Sequence, residues 1–208
     1  MQFRTKARAV DLLGKGQIAD LPTAISELWK NGYDAYADEL KAIFYTNGYE
    51  DVNKPFFVLS DNGKGMSNKE LEDKWLILGT DSKSRNVSPV KGIDTLWKEP
   101  RPIMGEKGIG RLSVSYLGSP MLMLTKKIGY PLQALYFDWR TLENYNLFLD
   151  NVNIPILTIN NESDFNDTFE ALKKEFLLNF HSDNPNKELA KKETERKIAL
   201  WSDQKDIL

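Results

Sequence analysis

The sequence predicts an α/β fold: a two-layer sandwich (α+β) with a mixed, largely antiparallel sheet and helices on one face. Short apolar runs of strand length alternate with segments whose apolar residues recur at helical spacing. Turn residues separate these runs, notably Asn47-Gly48 and Gly129-Tyr130-Pro131. With 208 residues, 41% of them hydrophobic, the chain can bury one core of moderate size.

The first half of the chain is predicted to contain an extension, two helices and two strands. Asp20 and Pro22 are start signals for the first helix. The basic residues before it are separated by other residue types, which indicates a solvated arm or strand rather than a nuclear signal. These residues are Arg4, Lys6 and Arg8. The predicted elements are a helix over 23–40, antiparallel strands at 41–46 and 56–61, and a helix over 68–78.

The second half is predicted to contain a short helix, a β-hairpin and a helical tail. Apolar runs on either side of the turn at Gly129 predict the hairpin. The tail has one strongly amphipathic segment and one charged segment with weaker apolar spacing. The predicted elements are a helix over 111–117, strands at 121–126 and 132–139, and helices over 164–180 and 186–202.

Composition excludes several classes of site and location. The chain has no cysteine, so it can form neither a disulfide nor a cysteine zinc site. Its single histidine, His181, lies in a polar stretch and indicates a surface residue. A net charge of −2 gives no general basic field for nucleic acid. Because no apolar run reaches membrane-spanning length and no signal-peptide core is present, we expect a cytoplasmic protein without a membrane partner.

A polar stripe on the first helix forms the first of three motifs. Glu27, Asn31 and Asp34 lie at i, i+4 and i+7, so their side chains leave one face of the helix. Mg²⁺ keeps waters and substrate phosphates as ligands, so one amide oxygen, that of Asn31, can suffice from the protein. Glu27, one turn earlier, can polarise an attacking water. Alternatively, Asp34 pairs with Lys30 and Asn31 marks a helix end.

Two glycine-rich motifs follow. The second motif, Asp61-Asn62-Gly63-Lys64-Gly65-Met66, ends the strand at 56–61. Its carboxylate can accept a hydrogen bond from an exocyclic amine such as adenine N6, and its glycines allow the backbone to approach the ring. The third motif, Gly105-Glu106-Lys107-Gly108-Ile109-Gly110, precedes the short helix. Backbone N–H groups at such a position bind phosphate oxygens.

The three motifs together resemble those of the GHKL, or Bergerat-fold, ATPases, in particular the branch of ninety-kilodalton heat-shock chaperones, MutL-type proteins and MORC proteins. The family patterns are E-x-x-x-N-x-x-D-A, D-x-G-x-G and G-x-x-G-x-G, in that order. The matching positions are Glu27, Asn31, Asp34 and Ala35; Asp61, Gly63 and Gly65; Gly105, Gly108 and Gly110. At a background usage of roughly 5 to 7% per residue type, so many fixed positions match by chance on the order of once in a million million.

The resemblance implies ATP and Mg²⁺ as cofactors and a role for each matched residue. Glu27 would be the general base, Asn31 the metal ligand, Asp34 a carboxylate that supports the metal site or anchors a lid, and Asp61 the adenine reader. Lys83, as a catalytic lysine, and Lys107 would contact phosphates. The remaining pocket residues are Gly63, Gly65, Met66, Thr80, Gly105, Gly108, Ile109 and Gly110.

The segment between the second and third motifs is predicted to be functional. Residues 80–104 have no sustained periodicity and are too long for an ordinary connection, so a lid is expected. In the resembled family this is the position of the ATP lid. Lys83 resembles a lysine of the mismatch-repair and MORC branches; the alternative is a surface lysine at the base of a loop.

The chain departs from the family pattern at the end of the sheet. Bergerat domains usually close the adenine pocket with a strand opened by a Gly-Thr pair, but the only such pair here is Gly79-Thr80. We therefore expect the sheet to lack its last strand. The predicted organisation is an ATP-binding domain over 1–160 and a helical tail, or the start of an insertion or following region, over 161–208. We expect the Mg-dependent ATPase activity of this fragment alone to be weak.

The resemblance implies a nucleotide-dependent switch within a larger protein. ATP would order the lid and the N-terminal arm, two copies would form a homodimer, and hydrolysis would release them. A DNA or protein client would bind through regions outside this chain. Two alternatives stay open: a histidine or serine protein kinase of the same superfamily, although no helix with an acceptor histidine precedes residue 20, and a degenerate nucleotide-binding interaction module.

Overall fold

The computed structural model describes residues 4–16, 18–50, 52–78, 90–105, 110–143 and 147–180, which contain two antiparallel sheets, five α-helices and several short 3₁₀- and π-helical turns. The first sheet pairs β1 with β2, and the second has the order β3-β4-β5. These strands are β1 (Leu40–Tyr45), β2 (Phe56–Asp61), β3 (Pro120–Thr125), β4 (Leu132–Asp138) and β5 (Ile156–Ile159). The helices are α1 (Arg8–Lys15), α2 (Leu21–Asp34), α3 (Asn68–Glu70), α4 (Val114–Leu117) and α5 (Phe165–Leu177). The predicted α/β class is confirmed.

Helix α2 begins at Leu21, directly after the predicted start signal Asp20 and two residues before the predicted bound of 23, and it ends earlier than predicted. Asp20 caps its first turn, accepting a hydrogen bond from the backbone N–H of Thr23 at 2.8 Å. The helix stops at Asp34 because Tyr36 adopts a left-handed φ of 64°, so the predicted end at residue 40 is wrong. The chain can then turn into β1.

Helix α3 and its continuation differ from the regular helix predicted over 68–78. Ser67 and Glu70 form a capping box around the first turn. The helix then widens into a π-helix over Leu71–Trp75, with Leu71 fully buried. The short helix predicted after the third motif is a 3₁₀ turn over Gly110–Ser113 that continues into α4.

Strand β4 is the centre of the hydrophobic core. Residues 133–138 of this strand are all buried. Leu135 faces Met123 of β3 on one side and Ile156 of β5 on the other. Phe137 meets Phe176 of α5 edge to face, with ring centroids 5.8 Å apart. Strand β5 was not predicted, because four residues next to Pro155 give too short a signal.

Helix α5 confirms the amphipathic helix predicted over 164–180, and it packs against β4 and β5 with Leu172 and Phe176 buried. The division of the chain at residue 160 stays a prediction. The helix predicted over 186–202 and His181 lie outside the described residues. No helix in the described ranges has the length and apolarity needed to cross a membrane.

The N-terminal segment, predicted to be a solvated arm or strand, keeps Arg4 and Lys6 exposed, and Lys6 forms an isolated antiparallel bridge with Phe148, but the segment also packs into the fold. Ala7 is fully buried, and its N–H donates to the carbonyl of Leu147 at 3.0 Å. The N–H of Leu149 donates in turn to the carbonyl of Thr5 at 2.9 Å. Arg8 begins α1, and Arg4 lies over the ring of Phe148 at 3.6 Å. The small apolar residues between and after the basic ones, Ala7 and Val10, are buried and attach the segment to the core.

Candidate functional site

Helix α2 carries the first motif and contacts the second motif directly. Gly32 is buried, and a Cβ built on it would lie 2.3 Å from Leu40 Cδ2 and 3.4 Å from Asp61 Cβ. A larger residue at position 32 would therefore separate α2 from the ends of β1 and β2. This close approach brings the Asn31 position and Asp61 to the same region of the molecule.

The second motif is a tight loop held against the end of α2. Asp61 is exposed, and its Oδ1 accepts a hydrogen bond from the N–H of Gly63 at 2.9 Å. A Cβ at Gly63 would lie 2.8 Å from both the Cβ and the carbonyl oxygen of Ala35. The N–H of Lys64 donates to that same carbonyl at 2.8 Å. Glycine at position 63 is thus required by the contact with α2.

The end of the second motif is fixed to β3. Gly65 has a left-handed φ of 62°, and a Cβ there would lie 2.1 Å from the carbonyl oxygen of Lys126. The N–H of Met66 donates to Oγ1 of Thr125 at 2.9 Å. The loop therefore bridges the two sheets, from β2 to the end of β3.

The third motif ends beside Glu27. A Cβ built on Gly110 would lie 3.2 Å from Oε2 of Glu27. The other carboxylate oxygen, Oε1, forms an ion pair with Nζ of Lys30 at 2.6 Å. Lys30 thus pairs with the carboxylate of Glu27, whereas the alternative considered above paired it with Asp34.

Asp34 binds the backbone where the third motif begins. Its Oδ1 accepts a hydrogen bond from the N–H of Met104 at 2.9 Å, and its Oδ2 accepts one from the N–H of Gly105 at 3.2 Å. These bonds connect positions 70 and 71 residues apart in the chain. Asp34 therefore anchors the stretch that leads into the glycine motif.

Residues 90–105, which comprise the end of the predicted lid and the first residue of the third motif, are docked on the end of α2 and the residues that follow it; we call them the docked segment. Lys98 donates from Nζ to the carbonyl of Tyr36 at 2.7 Å and forms an ion pair with Asp38 at 2.5 Å. Arg101 donates to the carbonyl of Ala37 at 3.1 Å, and its guanidinium lies 5.3 Å from the ring centre of Tyr36. Sequence reasoning missed both cations, because their partners are mostly backbone carbonyls far away in the chain.

A half-buried charge cluster holds the other side of the docked segment. Nζ of Lys127 binds Oε1 of Glu70 at 3.0 Å and Oδ1 of Asp94 at 2.8 Å. Burial raises the pKa of Glu70, but hydrogen bonds from Ser67, Lys127 and Lys74 outweigh it and bring the pKa to about 2. The docked segment is thereby held to α3 and to the turn after β3.

The predicted site residues that the structure describes form one connected region. They are Glu27, Asn31, Asp34, Asp61, Gly63, Gly65, Met66, Gly105 and Gly110. Five further predicted site residues lie outside the described residues: Thr80, Lys83, Lys107, Gly108 and Ile109.

Magnesium fits the chemistry of the donor set. The described ranges contain no cluster of three or more His, Cys, Asp or Glu that could hold a metal ion by themselves. A Mg²⁺ held by one amide oxygen together with nucleotide phosphates and waters does not need such a cluster. Asn31, between Glu27 and Asp34 on α2, carries an amide oxygen of this kind.

The comparison with known families agrees with this geometry. Residues 19–167 match the model of a family described as "Histidine kinase-, DNA gyrase B-, and HSP90-like ATPase". The match covers well over half of the 208 residues and includes all three motifs. No curated protein is significantly similar to the chain.

Proposed function

Because the chain belongs to the family of histidine kinase-, DNA gyrase B- and HSP90-like ATPases, we propose that its three motifs form a single Mg-ATP site. ATP binding is what the family supports most directly. The observation that carries the site assignment is that α2 contacts both glycine motifs. Gly32 meets Asp61 of the second motif, and Glu27 meets Gly110 of the third.

The two contacts distinguish an adenine end and a phosphate end of the proposed site. Glu27 and Gly32 are five residues apart on α2, which corresponds to about 7.5 Å along the helix axis. The end at Asp61 suits the adenine, because an exposed carboxylate beside glycines can accept a hydrogen bond from an exocyclic amine. The end at Gly110 suits the phosphates, because bare backbone N–H groups there bind oxygens. Asn31 lies between these two ends.

Hydrolysis would then depend on neutralisation of the phosphate charge and on positioning of the attacking water. When bound, Mg²⁺ neutralises charge on the phosphates, and Asn31 is the residue that would hold it. Glu27 would orient the attacking water and accept its proton. Its Oε1 is engaged by Lys30, whereas Oε2 faces Gly110 at the phosphate end. We assign Oε2 as the oxygen that receives the proton.

We further propose that nucleotide binding works as a switch within a larger protein. The docked segment joins the third motif to α2 through Asp34 and to α3 through Lys127. A nucleotide that contacts the third motif would therefore bias the position of this segment. Closing of the lid, association of two copies and release after hydrolysis would follow if ATP binds the closed state more tightly than the open one.

Nucleotide-dependent thermal stability tests the site. At a Mg-ATP concentration a hundred times the dissociation constant, the free energy of unfolding of the wild-type protein should rise by about 2.7 kcal/mol. Asn31→Ala should lose most of that gain, because it removes the proposed metal ligand. Asn166→Ala is the matched control, since Asn166 is an exposed helical asparagine in α5. An unchanged wild-type melting temperature at millimolar Mg-ATP would contradict the site.

Turnover tests the role of Glu27. Glu27→Ala should retain the Mg-ATP-induced rise in melting temperature and lose phosphate release. Normal hydrolysis by this variant would remove Glu27 from its proposed role. Transfer of the terminal phosphate to a protein side chain instead of water would identify the kinase alternative. Binding without turnover in wild type would identify an interaction module.

A further inference from the structure

Arg111 directly follows the third motif and connects it to the end of the π-helix over Leu71–Trp75. Its Nη1 donates hydrogen bonds to the backbone carbonyls of Lys74 and Trp75, at the end of the π-helix. These contacts cross 37 and 36 residues of sequence. A cation at this position is favourable, because the last carbonyls of a helix carry partial negative charge and need donors.

The setting of Arg111 is unusual for a charged side chain. It is partly buried, and burial lowers the pKa of its guanidinium, although arginine stays protonated in proteins. The next two residues, Leu112 and Ser113, are buried in the core. A partly desolvated cation costs free energy unless its hydrogen bonds compensate, so the two carbonyl contacts are what stabilise it here.

The position of Arg111 relates it to the phosphate end of the site. Gly110, its neighbour, lies against Oε2 of Glu27. The core fixes the chain after Arg111, and the side chain of Arg111 fixes it to the end of the π-helix. Gly110 is therefore held from its C-terminal side by two anchors. A shift of about 1 Å at such a place would move the glycine backbone out of hydrogen-bonding distance of a phosphate oxygen.

We propose that Arg111 is a positioning residue that sets Gly110, the last glycine of the third motif, for the terminal phosphate of ATP. It acts through the backbone of Gly110 and does not touch the nucleotide. The inference rests on the proposed function, since it needs a nucleotide in the site. Substitution of Arg111 should therefore change the affinity for ATP more than the affinity for ADP. The two nucleotides differ at the phosphate end and share the adenine end near Asp61.

The test measures dissociation constants of Mg-ATP and Mg-ADP. Arg111→Ala should weaken ATP binding at least tenfold and ADP binding less than threefold, so the ratio of the two affinities changes. Arg111→Lys should recover part of the loss, because an ammonium still donates to the carbonyls. Arg111→Gln, which keeps N–H donors without charge, should recover less. These two variants carry the test if the alanine variant does not fold.

Arg140→Ala is the matched control. Arg140 is also partly buried, and its Nε binds Oδ1 of the buried Asp138 at 2.9 Å, outside the proposed site. This variant should lower the melting temperature and leave both nucleotide affinities within twofold of wild type. A merely structural role for Arg111 would make both arginine variants behave alike.

The outcomes separate the inference from the proposed function. Failure of wild type to bind ATP would overturn the proposed function and this inference with it. Binding that depends on Asn31, combined with an unchanged ratio of ATP to ADP affinity in Arg111→Ala, would overturn the inference alone.

Discussion

Alanine at Gly65 should destabilise the protein well beyond the cost of the same change at Gly129. Both glycines have a left-handed φ, 62° and 81°, so each substitution carries the backbone penalty of about 1–2 kcal/mol for a non-glycine residue. At Gly65 the new Cβ would also lie 2.1 Å from the carbonyl oxygen of Lys126. At Gly129 no heavy atom lies within 4 Å of the new Cβ. The difference between the variants isolates the contact with the peptide group between Lys126 and Lys127.

Overpacking of this kind costs a further 1–3 kcal/mol or so, which gives a total of about 2–5 kcal/mol for Gly65→Ala. At about 2–4 °C per kcal/mol for a domain of this size, the melting temperature should fall by roughly 4–20 °C. Gly129→Ala should lose only about 2–8 °C. Circular dichroism melts measure both changes, with and without Mg-ATP.

The two variants should also differ in their stabilisation by Mg-ATP. Gly65 belongs to the loop that contains Asp61, so Gly65→Ala should also lose the stabilisation by Mg-ATP. Gly129→Ala, in the turn between β3 and β4, should keep it. Equal melting temperatures for the two variants would refute the reasoning, because they would show that the Lys126 carbonyl does not restrict position 65.

Two further predictions concern the anchors of the docked segment. The pKa of Glu70 is about 2 in the fold, below its ordinary value of 4.5, so its contribution to stability is present above about pH 4.5 and lost as the pH falls towards 2. In urea unfolding, the stability advantage of wild type over Glu70→Gln should shrink across that range, and a constant difference would contradict the ion pair with Lys127. Asp34→Ala should speed hydrogen exchange at the amides of Met104 and Gly105 and lower stability by about 1–3 kcal/mol, since it removes both acceptor bonds. Unchanged exchange at these amides would show that Asp34 is not their anchor.

Local patterns were enough to predict most of the elements. The strand at 56–61 has the predicted bounds, and the hairpin at β3 and β4 lies within one residue of its prediction. The cap at Asp20 was also predicted correctly. Such signals are local, because caps, turns and apolar spacing act over a few residues. The predictions of the end of α2 and of strand β5 failed for the opposite reason. The left-handed Tyr36 and the four-residue strand are stabilised by contacts with residues far away in the chain.

For the site, the sequence by itself determined the residue types and their order. Spacing indicated Glu27, Asn31, Asp34 and the glycines, because helix geometry and the freedom of glycine are properties of short segments, and the resemblance of the three motifs to a known family gave each residue its expected role. The family match covers all three motifs, and the role of each residue in them stays a prediction.

Only the tertiary structure decided which of these residues meet, and through which atoms. It set Gly32 against Asp61 and Gly110 against Glu27, and it gave Asp34 the amides of Met104 and Gly105 as partners. It also revealed Arg111. Its hydrogen-bond acceptors are backbone carbonyls, which every residue carries, so no sequence pattern can mark them. The path of the folded chain alone brings them within reach.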